Sequence, residues 1–392
     1  MYDQLGKALH SLKKSGRRSI LLIAHELTSS GSSLLLSDLC KYYAHQGYTV
    51  IVLTEYAGPP AEVIQDRLAC ASAVIRLHFR HSTRMRALRM LSRAGARQAI
   101  GNTVLSGPVA DELHEAGIRG LYLIHEMRAS LGILNAKGIT RRLAECGDLL
   151  VFPTETVRDS FFRYAQTSRC GGDIQIIPQG CRRTLSSGMT RAESRSRLRT
   201  QLSAGPNARI LVGAGAVNFG KGVDLWLPLL KKLIQIESNQ PFHMVWLGDA
   251  NERDAFYLWL NVQIQHLGLE ERVHFMGFIT DEAQYASILE GSDAFFLSSR
   301  EDSFPSVVIE AMAARLPILA YTGSGGGADY VKAAHSGICV PMGDADAAQE
   351  AVLELCNHSA AYANSETVEK ARRDFFFPDY ADKIIEQLQK TM

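Results

Sequence analysis

The sequence predicts an α/β protein of two Rossmann-like, doubly wound parallel-sheet domains facing one another across a crevice. Three observations predict it. Short apolar segments alternate with amphipathic helical patterns along most of the chain, as they do where parallel strands are joined by helical crossovers. The alternation forms two series, separated by a polar stretch without strand pattern between Gln179 and Asn207. The chain's 392 residues suffice for two domains of roughly 150–200 residues each.

In the first series, residues 19–24, 49–53, 73–77, 121–124, 149–152 and 174–177 read as strands, and 33–45 and 156–164 as helices. In the second, strands are expected at 209–212, 243–247, 273–275, 294–297, 318–320 and 338–340. Gly205, Pro206 and Asn207 form a turn signal before that series begins. The domain reading is therefore 1–185, a linker 186–206, 207–375, and a closing helical segment 376–392.

Composition narrows the function classes. With 46% hydrophobic and 21% charged residues the chain reads as a globular protein, and a formal net charge of +1 gives no overall attraction to nucleic acid or membrane. Seven scattered cysteines, without a Cys-x-x-Cys, suit a reducing compartment better than a disulfide framework. No apolar run approaches the ~20 residues of a membrane span, and residues 1–19 lack an apolar signal-peptide core. The expected location is the cytoplasm.

The most telling stretch is Arg300-Glu301-Asp302-Ser303-Phe304-Pro305-Ser306, followed by Val307-Val308-Ile309-Glu310-Ala311-Met312-Ala313. It sets two carboxylates, Asp302 and Glu310, across a strand-to-helix junction. A helix start offers unpaired backbone N–H groups and a positive dipole end, which suit a phosphate. An acid on either side of a bound diphosphate suits a sugar nucleotide, which carries hydroxyls at both ends.

At these residues the chain resembles glycosyltransferase family 4, retaining enzymes of the GT-B fold. The hallmark is a pair of acids separated by seven residues, then Ala-Met-Ala and Gly-Leu-Pro. Here it stands as Asp302, Glu310, Ala311-Met312-Ala313 and Arg315-Leu316-Pro317. Gly220-Lys221-Gly222-Val223-Asp224 matches the family's Lys-Gly-x-Asp segment, whose lysine contacts the donor diphosphate. The family's frequent arginine five or six residues before that lysine is absent, since Ala216 and Gly215 stand there. Either Lys221 acts with backbone donors alone, or another arginine such as Arg300 substitutes.

The resemblance implies a hexosyl-type transferase that moves sugar from a nucleotide-diphosphate sugar to an acceptor hydroxyl with retention, without metal or cofactor. Lys221, Asp302, Glu310 and His125 take the catalytic roles. Lys221 would stabilise the leaving diphosphate, Asp302 hold the donor sugar and Glu310 the ribose diol. The donor would also meet Gly31, Gly220, Gly277, Phe278, Ser303, Phe304, Pro305 and Ser306, although Gly277 and Phe278 read almost as well as turn residues. Gly323-Ser324-Gly325-Gly326-Gly327-Ala328-Asp329 resembles a further family loop and reads equally as a structural turn. Asp344-Ala345-Asp346 spells a metal motif of other transferases, but its position before a helix makes Asp344 an N-cap.

In the first half, His25-Glu26 and His125-Glu126 each end an apolar strand. Neither continues to His-Glu-x-x-His, since Ser29 and Ala129 occupy the last place, which excludes that zinc-protease site. A strand-end histidine is commonly a hydrogen-bonded structural residue. The resemblance favours His125 as the sugar contact, with His25, Glu26 and Glu126 on the acceptor side or behind it. Thr28-Ser29-Ser30-Gly31-Ser32-Ser33 resembles the family's small-residue loop near phosphate and acceptor. Residues 55–60 belong to the loops that would set acceptor choice.

Residues 67–110 contain no acid but many arginines, including Arg67, Arg76, Arg80, Arg84, Arg86, Arg89, Arg93 and Arg97. Arg89, Arg93 and Arg97 fall one helical turn apart. Such a face reads equally as solvated or as resting on anionic lipid, and the resemblance favours peripheral attachment to the inner face of the plasma membrane. Nucleic acid is not an expected partner, because no aromatics are interleaved. The expected acceptor is a glycan or lipid-linked glycan of envelope polysaccharide assembly. Rival readings are a non-catalytic sugar-nucleotide-binding or partner-activating subunit and a sugar-nucleotide epimerase. A dinucleotide-dependent dehydrogenase is disfavoured, since no strand leads into Gly-x-Gly-x-x-Gly with a ribose-binding acid beyond.

Overall fold

Thirteen strands in two parallel sheets organise the computed structural model, which describes residues 2–15, 18–28, 30–55, 58, 60–77, 80–181, 186–236 and 240–390. The chain divides into two units, Met1–Arg182 with Phe377–Met392, and Arg183–Phe376.

The first unit's sheet contains β1 (Ser19–Ala24), β2 (Thr49–Thr54), β3 (Ala73–Arg76), β4 (Gln98–Asn102), β5 (Arg119–Leu123), β6 (Leu149–Phe152) and β7 (Asp173–Ile176). Their order is β3-β2-β1-β4-β5-β6-β7, every pair parallel. Every residue of β1 is buried, as expected of a strand covered by helices on both faces. Strand order reverses between β1 and β4, so that junction is the topological switch point, where ligands of such sheets bind.

The sequence pattern did not reveal β4. Its five residues, Gln98-Ala99-Ile100-Gly101-Asn102, include a single β-branched side chain and end in polar groups, yet all are buried. Gly101 is required: a Cβ there would lie 2.6 Å from Tyr122 Cδ1 and 2.7 Å from Ser106 Oγ.

The second unit's sheet contains β8 (Arg209–Ala214), β9 (Phe242–Leu247), β10 (Val273–Phe275), β11 (Ala294–Leu297), β12 (Ile318–Tyr321) and β13 (Gly337–Val340). The order β10-β9-β8-β11-β12-β13 places its switch point between β8 and β11. Trp226, Trp246, Phe296 and Tyr321 lie in the core beneath that junction, with Trp226 stacked on Phe296 at 5.2 Å between ring centres.

Two expectations about the connections need correction. Residues 186–206, read as linker, contain the helix Arg191–Gln201, which opens with a capping box of Thr190 and Glu193. Its Arg199 is buried and donates to Asp293 Oδ2 at 2.8 Å and to the carbonyls of Gly291 and Ala208, so the helix is part of the second unit. The charged run looked like linker because its arginines make their contacts far away in sequence. Secondly, the basic helix His81–Arg93 ends before Arg97, whose guanidinium folds back on Ser92 Oγ at 3.1 Å. The boundary placed at residue 185 lies outside the described residues, as do Ser29 and residues 56, 57 and 59 of the expected loops.

The last helix, Phe377–Lys390, packs in the first unit against helix Gly31–His45. Tyr43 Oη donates to the Ala381 carbonyl at 2.8 Å and Tyr42 Oη to Asp382 Oδ1 at 2.9 Å. Gly180 permits this packing, since a Cβ there would sit 2.8 Å from Phe377 Cα. Among the described residues no helix is long and apolar enough to cross a membrane.

Candidate active site

The loops leaving β8 and β11, the strands flanking the second unit's switch point, are fastened together. After β8, Asn218 Oδ1 accepts from Lys221 N–H at 3.0 Å, shaping the short turn Phe219–Lys221. Gly222 ends that turn at φ +66°, and a Cβ on it would fall 2.1 Å from the Ser298 carbonyl oxygen. The close approach thus needs glycine. From the β11 side, Ser298 Oγ donates to the Lys221 carbonyl at 2.8 Å and Arg300 N–H to the Gly220 carbonyl at 2.8 Å.

This stitching brings the Lys221 ammonium onto Asp302, where it donates to Oδ2. Ser299 Oγ donates to the same oxygen at 3.0 Å. Both groups are partly covered, with side-chain exposures of 28% for Lys221 and 13% for Asp302, so solvent screens the pair incompletely.

Of the two alternatives for the missing arginine, the one that used Arg300 does not match its contacts. Arg300 grips Asp224 with both arms, at 2.8 and 2.7 Å, donates to the Phe219 carbonyl at 2.6 Å, and stacks 3.9 Å over the Phe219 ring. It is therefore committed to the Lys221 turn and does not replace the arginine missing at position 215 or 216. At 215 the backbone itself disfavours a side chain. The Lys221 stem lies over Gly215, so a Cβ there would meet Lys221 Cε at 3.1 Å, and Gly215 holds φ +139°.

Helix Ser306–Ala313 begins immediately after this loop with no side chain capping its first turn. Pro305 precedes it and Ser303 accepts from Gly326 N–H through its carbonyl at 3.0 Å. The Phe304 side chain turns away into an aromatic cluster, 5.1 Å from Phe375 and 6.0 Å from Tyr330. Of the residues expected at the donor, Phe304 can therefore offer only backbone. Glu310 is buried, and its Oε2 accepts from Tyr285 Oη at 2.7 Å. Tyr285 was not singled out by sequence, because nothing local links residues 25 positions apart.

Gly277 adopts φ +68° and bridges Gly248 at the end of β9, with Phe278 beside it 39% exposed. Nothing lies within 4 Å of a Cβ placed on Gly277 or Gly31, whereas one on Gly220 would come 3.3 Å from Asn218 Oδ1. Asp344 caps helix Ala345–Asn357 by accepting from Ala347 N–H, and Asp346 pairs with Lys232.

In the first unit, the ends of β1, β4 and β5 gather a second polar group at that sheet's own switch point. His125 Nε2 lies 3.1 Å from Asn102 Oδ1, while Asn102 Nδ2 donates to the Ser32 carbonyl at 2.7 Å. With its amide so oriented, Asn102 presents an acceptor, and the imidazole carries its proton on Nε2. His125 Nδ1 is buried without a hydrogen-bond partner among the described residues, and burial lowers the ring's pKa to about 4. The ring is neutral at physiological pH.

Glu126 Oε2 accepts from Val104 N–H at 3.0 Å and His125 N–H at 3.2 Å, yet burial outweighs these bonds and raises its pKa to about 7. His25 Nδ1 meets Thr103 Oγ1 at 3.0 Å, and its pKa is lowered by burial against the opposing pull of Glu26. Glu26 ties down the small-residue loop, accepting from Ser30 Oγ, and Ser33 Oγ donates to its carbonyl at 3.2 Å. Helix Gly31–His45 opens from that loop with Ser30 as N-cap. Asn102 and Thr103 were missed because they end and follow the strand the pattern did not reveal.

Residues 194–374 match the family model of glycosyl transferases group 1. This part of the chain belongs to that family. Lys221, Asp302 and Glu310 all lie inside the group 1 match. Mannosylfructose-phosphate synthase of Agrobacterium fabrum is 31% identical over 115 residues, 29% of this chain and 25% of that protein. The 2-deoxystreptamine N-acetyl-D-glucosaminyltransferase of Niallia circulans is 28% identical over 191 residues, 47% of this chain and 46% of that one. The matches thus span a quarter to just under half of these relatives' length. Anabaena HepE, solved in complex with UDP-glucose, superposes with a TM-score of 0.77 over 95% of this chain and 99% of that one, at 19% identity. That likeness is one of fold, and together with the two parallel sheets it places this chain in the GT-B fold class.

Proposed function

We propose that this group 1 protein is a retaining family 4 glycosyltransferase. It transfers a hexosyl-type sugar from a nucleotide-diphosphate sugar to an acceptor hydroxyl, without metal or cofactor. The observation that carries the reading is the meeting of Lys221 and Asp302 from the two loops of one switch point, just ahead of the uncapped helix that bears Glu310. Cation, helix N-terminus and carboxylates are what a diphosphate flanked by sugar and ribose requires.

In this mechanism Lys221 and the backbone N–H groups of Phe304 and Ser306 neutralise charge developing on the departing diphosphate. Glu310 accepts from the ribose diol, with Tyr285 holding one of its oxygens. Asp302 receives Lys221 and Ser299 on Oδ2 and orients the donor sugar through its other carboxylate oxygen. The neutral His125 and the Gly31 loop serve the sugar and acceptor. Transfer proceeds on one face, the leaving phosphate oxygen taking the acceptor's proton.

The relatives' names include mannosylfructose-phosphate synthase and 2-deoxystreptamine N-acetyl-D-glucosaminyltransferase, which supports a sugar-transfer reaction. For this chain we favour a glycan or lipid-linked glycan of envelope polysaccharide assembly, reached from the cytoplasmic membrane face. Arg86, Arg89 and Arg93 are exposed and line a surface hollow of about 520 Å³ with His81, Ser82 and Glu115. Arg67 and Arg84 are instead paired with Asp38 and Glu112. The test is release of nucleoside diphosphate from a panel of donors with hydroxylated acceptors, in chelator, with the product's anomeric configuration read by NMR. Release with retention supports the proposal, while inversion or an absolute metal requirement refutes it. Tight nucleotide binding without turnover would identify the non-catalytic subunit, a reading favoured by the missing arginine at 215 and 216.

A further inference from the structure

Cys40 and Cys70 stand apart from the site described above. Cys40 is fully buried on helix Gly31–His45, and Cys70 is exposed at the end of the short turn Leu68–Cys70. Their sulfurs are 3.7 Å apart, although the residues are 30 positions apart in sequence. The approach is held from outside the pair. Arg67 binds Asp38 at 2.6 Å, joining the same helix to the segment just before the turn, and Cys70 Sγ rests on the Arg67 carbonyl at 3.3 Å. A disulfide would draw these two sulfurs from 3.7 Å to a bond length of about 2.05 Å.

We propose that Cys40 and Cys70 are a reversible thiol-oxidation site, with the exposed Cys70 meeting a small-molecule disulfide and the buried Cys40 resolving it. The Cys70 thiolate attacks one sulfur of the disulfide, forming a mixed disulfide and expelling one small thiol. The Cys40 thiol then attacks Cys70 Sγ, its proton passing to the small thiolate that departs, so that the second small thiol is released. Two protein thiols are oxidised and one small disulfide is reduced to two thiols. A solvent-accessible thiol poised next to a resolving cysteine is a recurring arrangement at redox-sensitive sites. The bond would fasten the helix that opens at Gly31 to the turn after helix Glu62–Arg67, restricting the connection that leaves β2.

Peptide mapping of the full-length protein without reductant, after equilibration with oxidised glutathione, tests this directly. The expected result is a Cys40–Cys70 linked peptide, a free-thiol count lower by two, and reversal by dithiothreitol. A Cys40→Ser variant should instead accumulate a stable Cys70–glutathione mixed disulfide. The wild-type map stands by itself if that variant does not fold. A lasting mixed disulfide on wild-type Cys70, pairing of Cys40 with another cysteine, or failure of both thiols to react would overturn the proposal.

Discussion

Lys221 and Asp302, 81 residues apart in sequence, form an ion pair that closes the gap between the loops of β8 and β11. Each is held in place by neighbours rather than by its partner alone. Asn218 shapes the lysine's turn, Ser299 shares the carboxylate, and Arg300 clamps the two loops through Asp224. A charge so positioned needs little reorganisation when a diphosphate departs.

Replacing Lys221 with Met therefore removes transition-state stabilisation more than binding. Turnover should fall by about 10²–10³-fold, with a smaller change in donor KM. Asp302→Asn should also slow turnover, and the double variant should be less impaired than the two single effects multiplied, because the residues act as a pair. Steady-state kinetics of nucleoside diphosphate release measure all three.

Arg300→Lys should behave almost as badly as Arg300→Ala. A lysine cannot reproduce the two-armed grip on Asp224 or the stacking on Phe219. The expected loss is ~1–3 kcal/mol, read from denaturant midpoints.

The first unit should carry opposing pH dependences. Glu126 titrates near 7 when folded against an ordinary 4.5. Between these values the folded state holds a proton that the unfolded chain lacks, so this group's contribution falls as pH rises from 4.5 to 7. His125 runs the other way. Its folded pKa of about 4 against an ordinary 6.5 means stability is lost as pH drops through that interval. Glu126→Gln keeps an acceptor for the Val104 and His125 N–H groups but cannot ionise. It should raise the melting temperature above pH 7 and lose that advantage near pH 4.5, in thermal scans across pH.

Charge reversal at Arg86, Arg89 and Arg93 should abolish co-sedimentation with anionic vesicles, each arginine contributing ~1 kcal/mol. Raising salt should weaken wild-type binding in the same way. Equal sedimentation of wild type and triple variant would remove the membrane reading and leave the transferase reading untouched.

The sequence carried the two-sheet architecture because twelve of the strands are apolar or flanked by clear turns, and the Asp302–Glu310 spacing lay within one local junction. It failed where structure depends on distant partners. β4 has few strand-forming residues and is fixed by its neighbours β1 and β5, so Asn102 at its end was invisible as the partner of His125. Arg300 looked available for a phosphate because its partner Asp224 lies 76 residues upstream. Phe304 looked like part of the donor surface because the pattern cannot tell that its ring packs on Phe375.

The most direct test of the account is a thermal-shift panel of UDP, GDP, dTDP and ADP with their sugar conjugates, on wild type and Glu310→Ala. The account predicts that one nucleotide series stabilises the wild type and that Glu310→Ala loses the shift while retaining its own cooperative melt. Stabilisation by none of them, or equal stabilisation of both proteins, would contradict a donor site built on Lys221, Asp302 and Glu310.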